Sequence, residues 1–136
     1  MPALKTYDLF NSHAWKYSDD YNRVVQFLDA ANNFIWRNYS VPVDKRFAAM
    51  SEKELVAELD GQIRPVNAVL VLSGMYAAYS GWIETEIGIA NKYGKPIIGV
   101  KPWGQERVPQ IVTSNAKIVV GWNTASIVQA IRDYAL

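Results

Sequence analysis

The chain has 136 residues, 50% of them hydrophobic, 12% aromatic and 20% charged. That length and balance exclude a disordered or low-complexity chain and fit one domain, residues 1–136, with its own core. With 14 basic against 13 acidic side chains, no net field draws the protein to nucleic acid or to an anionic membrane. There is no cysteine and one histidine, His13, which excludes a disulfide scaffold, a thiolate nucleophile and a Cys- or His-rich metal site. The N-terminus lacks the apolar run of a signal peptide, and no stretch approaches the ~18 apolar residues of a membrane span. The expectation is a soluble, cytoplasmic domain without metal.

Tyr7-Asp8-Leu9-Phe10 reads as a short strand that runs into the polar Asn11-Ser12-His13. Ser18, Asp19 and Asp20 offer N-cap side chains, after which Tyr21, Val24, Val25, Leu28, Ala31 and Ile35 recur at helical spacing. A weak strand over residues 38–41 ends at Pro42. Ser51 with Glu54 forms a capping box, each side chain satisfying the other's backbone amide, and Leu55, Leu59 and Ile63 follow one face until Pro65. Ala68-Val69-Leu70-Val71-Leu72 is a continuous apolar run, as expected of a strand buried on both faces of a parallel sheet. Ser80 caps a helix carrying Ile83, Ile87 and Ala90, which closes at Gly94 before Pro96. Residues 96–100 and 116–120 read as two further strands, with a short helical piece near Val108–Val112 between them. Asn123 or Thr124 caps a last helix with Ile127, Val128, Ile131 and Tyr134 inward. Five strands alternating with helices predict an α/β doubly wound parallel sheet.

Such sheets bind ligands outside the carboxyl ends of the strands, where the strand order reverses. For the order 2-1-3-4-5 that crevice lies between the first and third strands. The segments leaving those strands are Phe10-Asn11-Ser12-His13 and residues 73–86. No glycine follows the first strand, which argues against the phosphate fingerprints of dinucleotide-dependent dehydrogenases and P-loop nucleotide hydrolases. No acidic cluster stands there either, against a response-regulator receiver. Trp82 and Glu86 are four apart and stack on one helix face about one turn in. Two readings of the pair stay open. A first-turn carboxylate favours the helix dipole while Trp82 covers the core, or the two residues face a ligand. Glu84 points away from the Ile83/Ile87 stripe toward solvent.

Tyr7-Asp8-Leu9-Phe10-Asn11-Ser12-His13, together with Ser80-Gly81-Trp82-Ile83-Glu84-Thr85-Glu86 after the third strand, resembles a TIR domain. More narrowly, the chain is similar to the TIR-like proteins of the bacterial Thoeris antiviral system. The resemblance implies a flavodoxin-like five-stranded sheet of order 2-1-3-4-5. It also implies cleavage of the nicotinamide–ribose bond of NAD, which is the substrate, so that no cofactor is expected. On that resemblance Glu86 is the essential carboxylate, and Trp82, Ser80 and Ser12 match the other motif positions. The loop Pro42–Phe47, with Lys45 and Arg46, would cover the pocket and meet neighbouring chains. Phe10 and His13 would border the substrate, with Tyr79 and Trp103 as further aromatic neighbours. Asn11 stands where the family carries an aliphatic residue. The implied setting is antiphage defence. A phage-derived trigger would lead to an ADP-ribose-derived signal, cyclic or conjugated, acting on a separate effector, and the chain would self-associate. Rival readings are an enzyme like the nucleoside 2-deoxyribosyltransferases, which place a glutamate near the same crevice, a non-enzymatic TIR interaction module, and a receiver-like nucleotide-binding module.

Overall fold

The most apolar run of the sequence forms the middle of the molecule. In the computed structural model, which describes residues 6–11, 18–39, 52–72, 76–101, 110–121 and 123–136, Ala68, Val69, Leu70 and Val71 are all at 0% exposure. They belong to β3 (Ala68–Leu72), the central strand. Before it come β1 (Thr6–Asn11), α1 (Ser18–Asp29), β2 (Ile35–Asn38) and α2 (Glu52–Ile63). After it follow α3 (Tyr76–Lys92), β4 (Ile97–Val100), α4 (Gln110–Asn115), β5 (Ile118–Val120) and α5 (Thr124–Tyr134). The five strands pair in the order β2-β1-β3-β4-β5, every neighbouring pair parallel. The doubly wound α/β fold expected from the alternation is the fold observed.

Register decides which side chains face which helical layer, because paired residues of a parallel ladder share a face and successive residues alternate. Phe10 pairs with Val69, which pairs with Ile97; Val71 pairs with Gly99, which pairs with Val119. A Cβ on Gly99 would lie 3.0 Å from Val112 of α4 and 3.0 Å from Val119. This set therefore faces the layer holding α4. Right-handed crossovers put α3 in the same layer, and α2 packs on α3. The alternate set, including Leu9, Asn11, Leu70 and Ile98, faces α1 and α5, which pack on each other. On that side Tyr7 stacks on Phe34 at 5.3 Å, and the Arg132 guanidinium of α5 sits 5.7 Å over the Phe34 ring. Arg132 also donates to the Asn32 and Asn33 carbonyls, tying the last helix to the turn ahead of β2.

Several boundaries differ from the sequence reading. β1 extends one residue at each end and takes in Asn11, which is fully buried rather than part of a polar loop. α1 stops at Asp29, and Asn33 takes a left-handed φ of 56°, a conformation asparagine tolerates better than most residues. That turn ends the helical stripe before Ile35, which opens β2 and is 46% exposed on the sheet edge. β2 consequently lies at 35–38, three residues ahead of its expected place. α3 starts at Tyr76, four residues before Ser80, because Tyr76-Ala77-Ala78-Tyr79 contains no breaker and two alanines. α4 is shifted to 110–115, β5 is shortened to 118–120, and Tyr134 is 40% exposed instead of inward. Ser18, Asp19 and Asp20 lie inside α1 instead of capping it, and β4 begins at Ile97, one residue late; other signals hold. Gly94 closes α3 with φ +66°, Leu59 and Ile63 of α2 are buried, and the Asn123 side chain accepts from the Ser126 amide at 2.8 Å to cap α5. Ser51 of the expected capping box lies outside the described residues, one position before α2 begins.

Candidate functional site

Among the described residues, Asn11 and Glu86 are the buried polar or charged side chains, at 0% and 4% exposure. The sheet separates them. Asn11 ends β1 and pairs with Leu70, so it faces the layer of α1 and α5. Glu86 belongs to α3, in the opposite layer, and shares its inward stripe with Ile87, Ile89 and Ala90. Glu84, two positions earlier, is exposed, as the rotation of the helix required. Phe10, at 1% exposure, faces the layer of Glu86. Asn11, where the resemblance places an aliphatic residue, does not.

The longer α3 moves Glu86 out of the first helical turn. The carboxylate stands ten residues after Tyr76, in the third turn, and the first turn holds no acidic residue. The field of a helix terminus fades within about one turn, so the dipole does not account for a carboxylate this deep. Burying an ionised carboxylate in an apolar layer costs several kcal/mol of solvation unless neighbours compensate.

Ser80 and Trp82 lie on α3, Trp82 one turn ahead of Glu86, and their side chains lie outside the described residues. So do Ser12, His13, Lys45 and Arg46, the loop Pro42–Phe47, Tyr79 as a side chain, and Trp103. One residue at the carboxyl edge carried no signal in the sequence reading: Lys101, half-buried, directly after β4. Its position was findable in principle, since the residue leaving a parallel strand's carboxyl end stands at the ligand edge.

The resolved electrostatics lie away from this edge. Asp60 of α2 accepts from the Tyr93 hydroxyl at 2.7 Å and from Lys92 at 3.1 Å, at the far end of α3. The Tyr93 hydrogen bond first, and then Lys92, hold the Asp60 carboxyl below its ordinary value. Asp60 in turn raises Lys92. Arg37 makes a two-pronged pair with Asp8 at 2.6 and 2.9 Å, which raises the guanidinium pKa further. Among the described residues no group of His, Cys, Asp or Glu could hold a metal ion, and no helix is long and apolar enough to cross a membrane.

Comparison with known proteins gives one family and, among solved structures, relatives of similar fold. The model of the family described as "Thoeris protein ThsB, TIR-like domain" matches residues 10–107. A comparison with curated proteins returns no match. The CMP N-glycosidase BcmB of Clostridium botulinum is similar in structure, with a TM-score of 0.56 and 18% identity over 93% of this chain and 98% of that one. A prokaryotic SEFIR domain has a TM-score of 0.50 and 16% identity over 93% of this chain and 94% of that one. At these identities the likeness is one of fold.

Proposed function

Since the chain belongs to the Thoeris ThsB TIR-like domain family, we propose that it cleaves the bond between nicotinamide and ribose in NAD. Glu86 is the catalytic carboxylate of this reading, with Ser12, Ser80 and Trp82 around the ribose and nicotinamide. Phe10, His13, Lys45 and Arg46 complete the substrate contacts. The ADP-ribosyl group goes on to a cyclic or conjugated ADP-ribose that switches on a separate effector in antiphage defence, in response to a phage-derived trigger.

The observation that carries the reading is Glu86 itself, a carboxylate at 4% exposure on the helix beside the crevice. Nicotinamide leaves NAD as a neutral molecule from a cationic precursor, so the reaction needs no general acid. Positive charge develops on the ribose instead, as in glycoside hydrolysis. A carboxylate close to that charge stabilises it, and the effect is largest where water is excluded.

The fold shared with a CMP N-glycosidase supports a second reading, cleavage of a nucleoside monophosphate. Cytosine is a neutral base and a poorer leaving group, and its departure is helped by a proton donor. The NAD reading is preferred because the chain belongs to the family, whereas the glycosidase shares only its fold.

The test is incubation with NAD and, separately, with CMP, with and without lysate from infected cells as activator, followed by chromatography and mass spectrometry. The expected products are nicotinamide and a cyclic or conjugated ADP-ribose. Nicotinamide with linear ADP-ribose alone under activating conditions overturns the signalling part. Release of cytosine from CMP with NAD intact overturns the choice of substrate.

A further inference from the structure

The two edges of the sheet are built differently. At one end β2 carries Arg37, exposed and paired with Asp8, and a charge on an edge strand discourages further pairing. At the other end β5 reads Ile118-Val119-Val120, uncharged and half-buried throughout, with β4 on one side and, among the described residues, no strand on the other. The Val120 carbonyl accepts from the Lys101 amide, on the side of β4, at 2.9 Å. Successive residues of a strand aim their amide and carbonyl to opposite sides, so Val119 turns both of its own away from β4.

A groove of about 460 Å³ runs beside this edge, between β5 and α5. Ile118, Val120 and Ala130 give it apolar surface, and Ser126, Gln129 and Asp133 give it a polar side. Asp133 is the one charge in its lining.

We propose that this edge and groove receive a second copy of the chain, joined by antiparallel pairing of β5 with β5 about a two-fold axis at Val119. The proposal is independent of the reading of Glu86. A two-fold contact sets the same patch against itself, and here Val119 meets Val119 of the second copy, each giving its amide to the other's carbonyl. Ile118 then falls opposite Val120 of the second copy, in the position where cross-strand side chains approach most closely. Charge favours this orientation. The two Lys117 residues stand four positions apart along the joined strands, about 13 Å, which exceeds the screening length of about 8 Å at physiological salt. Each α5 runs back against its own β5, so the axis sets the two helices antiparallel on one face of the joined sheet. The Asp133 end of each is thereby directed to the amino end of the other, whose first turn holds no acidic residue and whose dipole favours a carboxylate. A parallel pairing would bring Lys117 beside Lys117 and Asp133 beside Asp133.

The experiment is sedimentation velocity over rising protein concentration, with residue-resolved hydrogen exchange on the same samples. Wild type is expected to pass from monomer to dimer, and exchange of the Val119 amide to slow as the dimer forms. Val119→Pro removes the outward donor and spares the ladder to β4, and is expected to raise the dimer Kd about tenfold or more. Gln129→Lys, on the exposed side of α5 and midway along it, sets two cations near the axis and weakens the dimer in the same direction, should the proline variant melt early. Ile35→Lys, on the exposed β2 edge, is expected to leave the dimer intact. A wild type that stays monomeric throughout, as when the groove serves a different protein, overturns the proposal. So does association that leaves the Val119 amide unprotected, or that Ile35→Lys abolishes while Gln129→Lys does not.

Discussion

Asn11 and Glu86 are both withdrawn from water, yet the sheet assigns them different work. Asn11 faces α1 and α5, so it belongs to the layer behind the proposed site and not to its wall. Glu86 lies in the layer of α2, α3 and α4, where a carboxylate gains nothing from a helix terminus. The substitution that separates charge from shape is Glu86→Gln. It is expected to lower the rate of NAD consumption about 10³-fold while circular dichroism and melting temperature report a retained fold. Glu84→Gln, on the exposed face of the same helix, is expected to stay within about twofold of wild type. Near wild-type turnover in the Glu86→Gln variant would remove Glu86 from the reaction. The pairing of Trp82 with Glu86 was legible because a spacing of four residues is a helix property. The burial of Glu86 was not, since it depends on where α3 begins and Ser80 mimicked a cap.

At the scale of elements, legibility followed burial. β3 was readable to the residue because both its faces are covered, which leaves an uninterrupted apolar run. β2 was not. It is a four-residue edge strand, Ile35-Trp36-Arg37-Asn38, and Ile35 continues the spacing of α1, so its helical appearance concealed the turn at Asn33. The Asn32-Asn33 pair was the available signal, and Arg132 fixes that turn by a contact about a hundred residues away that no local pattern contains. The close approach of β4 and α4 is tertiary in the same way. With 3.0 Å from a Gly99 Cβ to both Val112 and Val119, Gly99→Ala must displace two packed valines. It is expected to cost about 1–3 kcal/mol, read by chemical denaturation; an unchanged midpoint would show that α4 yields freely. The junction of α2 and α3 makes a prediction in pH. Asp60 is held below its ordinary value by Tyr93 and then Lys92. A carboxyl lowered by folding adds stability above its unfolded pKa and loses it as pH falls through the folded one. Asp60→Asn should therefore melt below wild type at neutral pH, with the gap closing as pH drops beneath the ordinary carboxylate range. A gap independent of pH would assign the effect to packing of the asparagine.

For the molecule as a whole, the exposure of Glu86 sets a condition on activity. At 4% the carboxylate offers almost no surface to a substrate, whereas the proposed reaction needs the ribose against it and water kept away from the cationic intermediate. Access and exclusion are opposite demands on one pocket. A conformational step that admits NAD and then closes reconciles them, and such steps are commonly driven by binding a further component. A second copy of the chain is one such component, a phage-derived activator another, and each shifts the balance only by binding the open or the closed form more tightly. Basal turnover in dilute protein should accordingly be low. Specific activity is expected to rise with protein concentration or on addition of activator, in step with the appearance of dimers or larger species in light scattering. Glu86→Gln, carried through the same series, should associate as wild type does while remaining inactive, which separates assembly from chemistry. Specific activity that stays constant down to a dilution at which scattering shows only monomer, with no activator present, would mean that the pocket opens and closes within one chain.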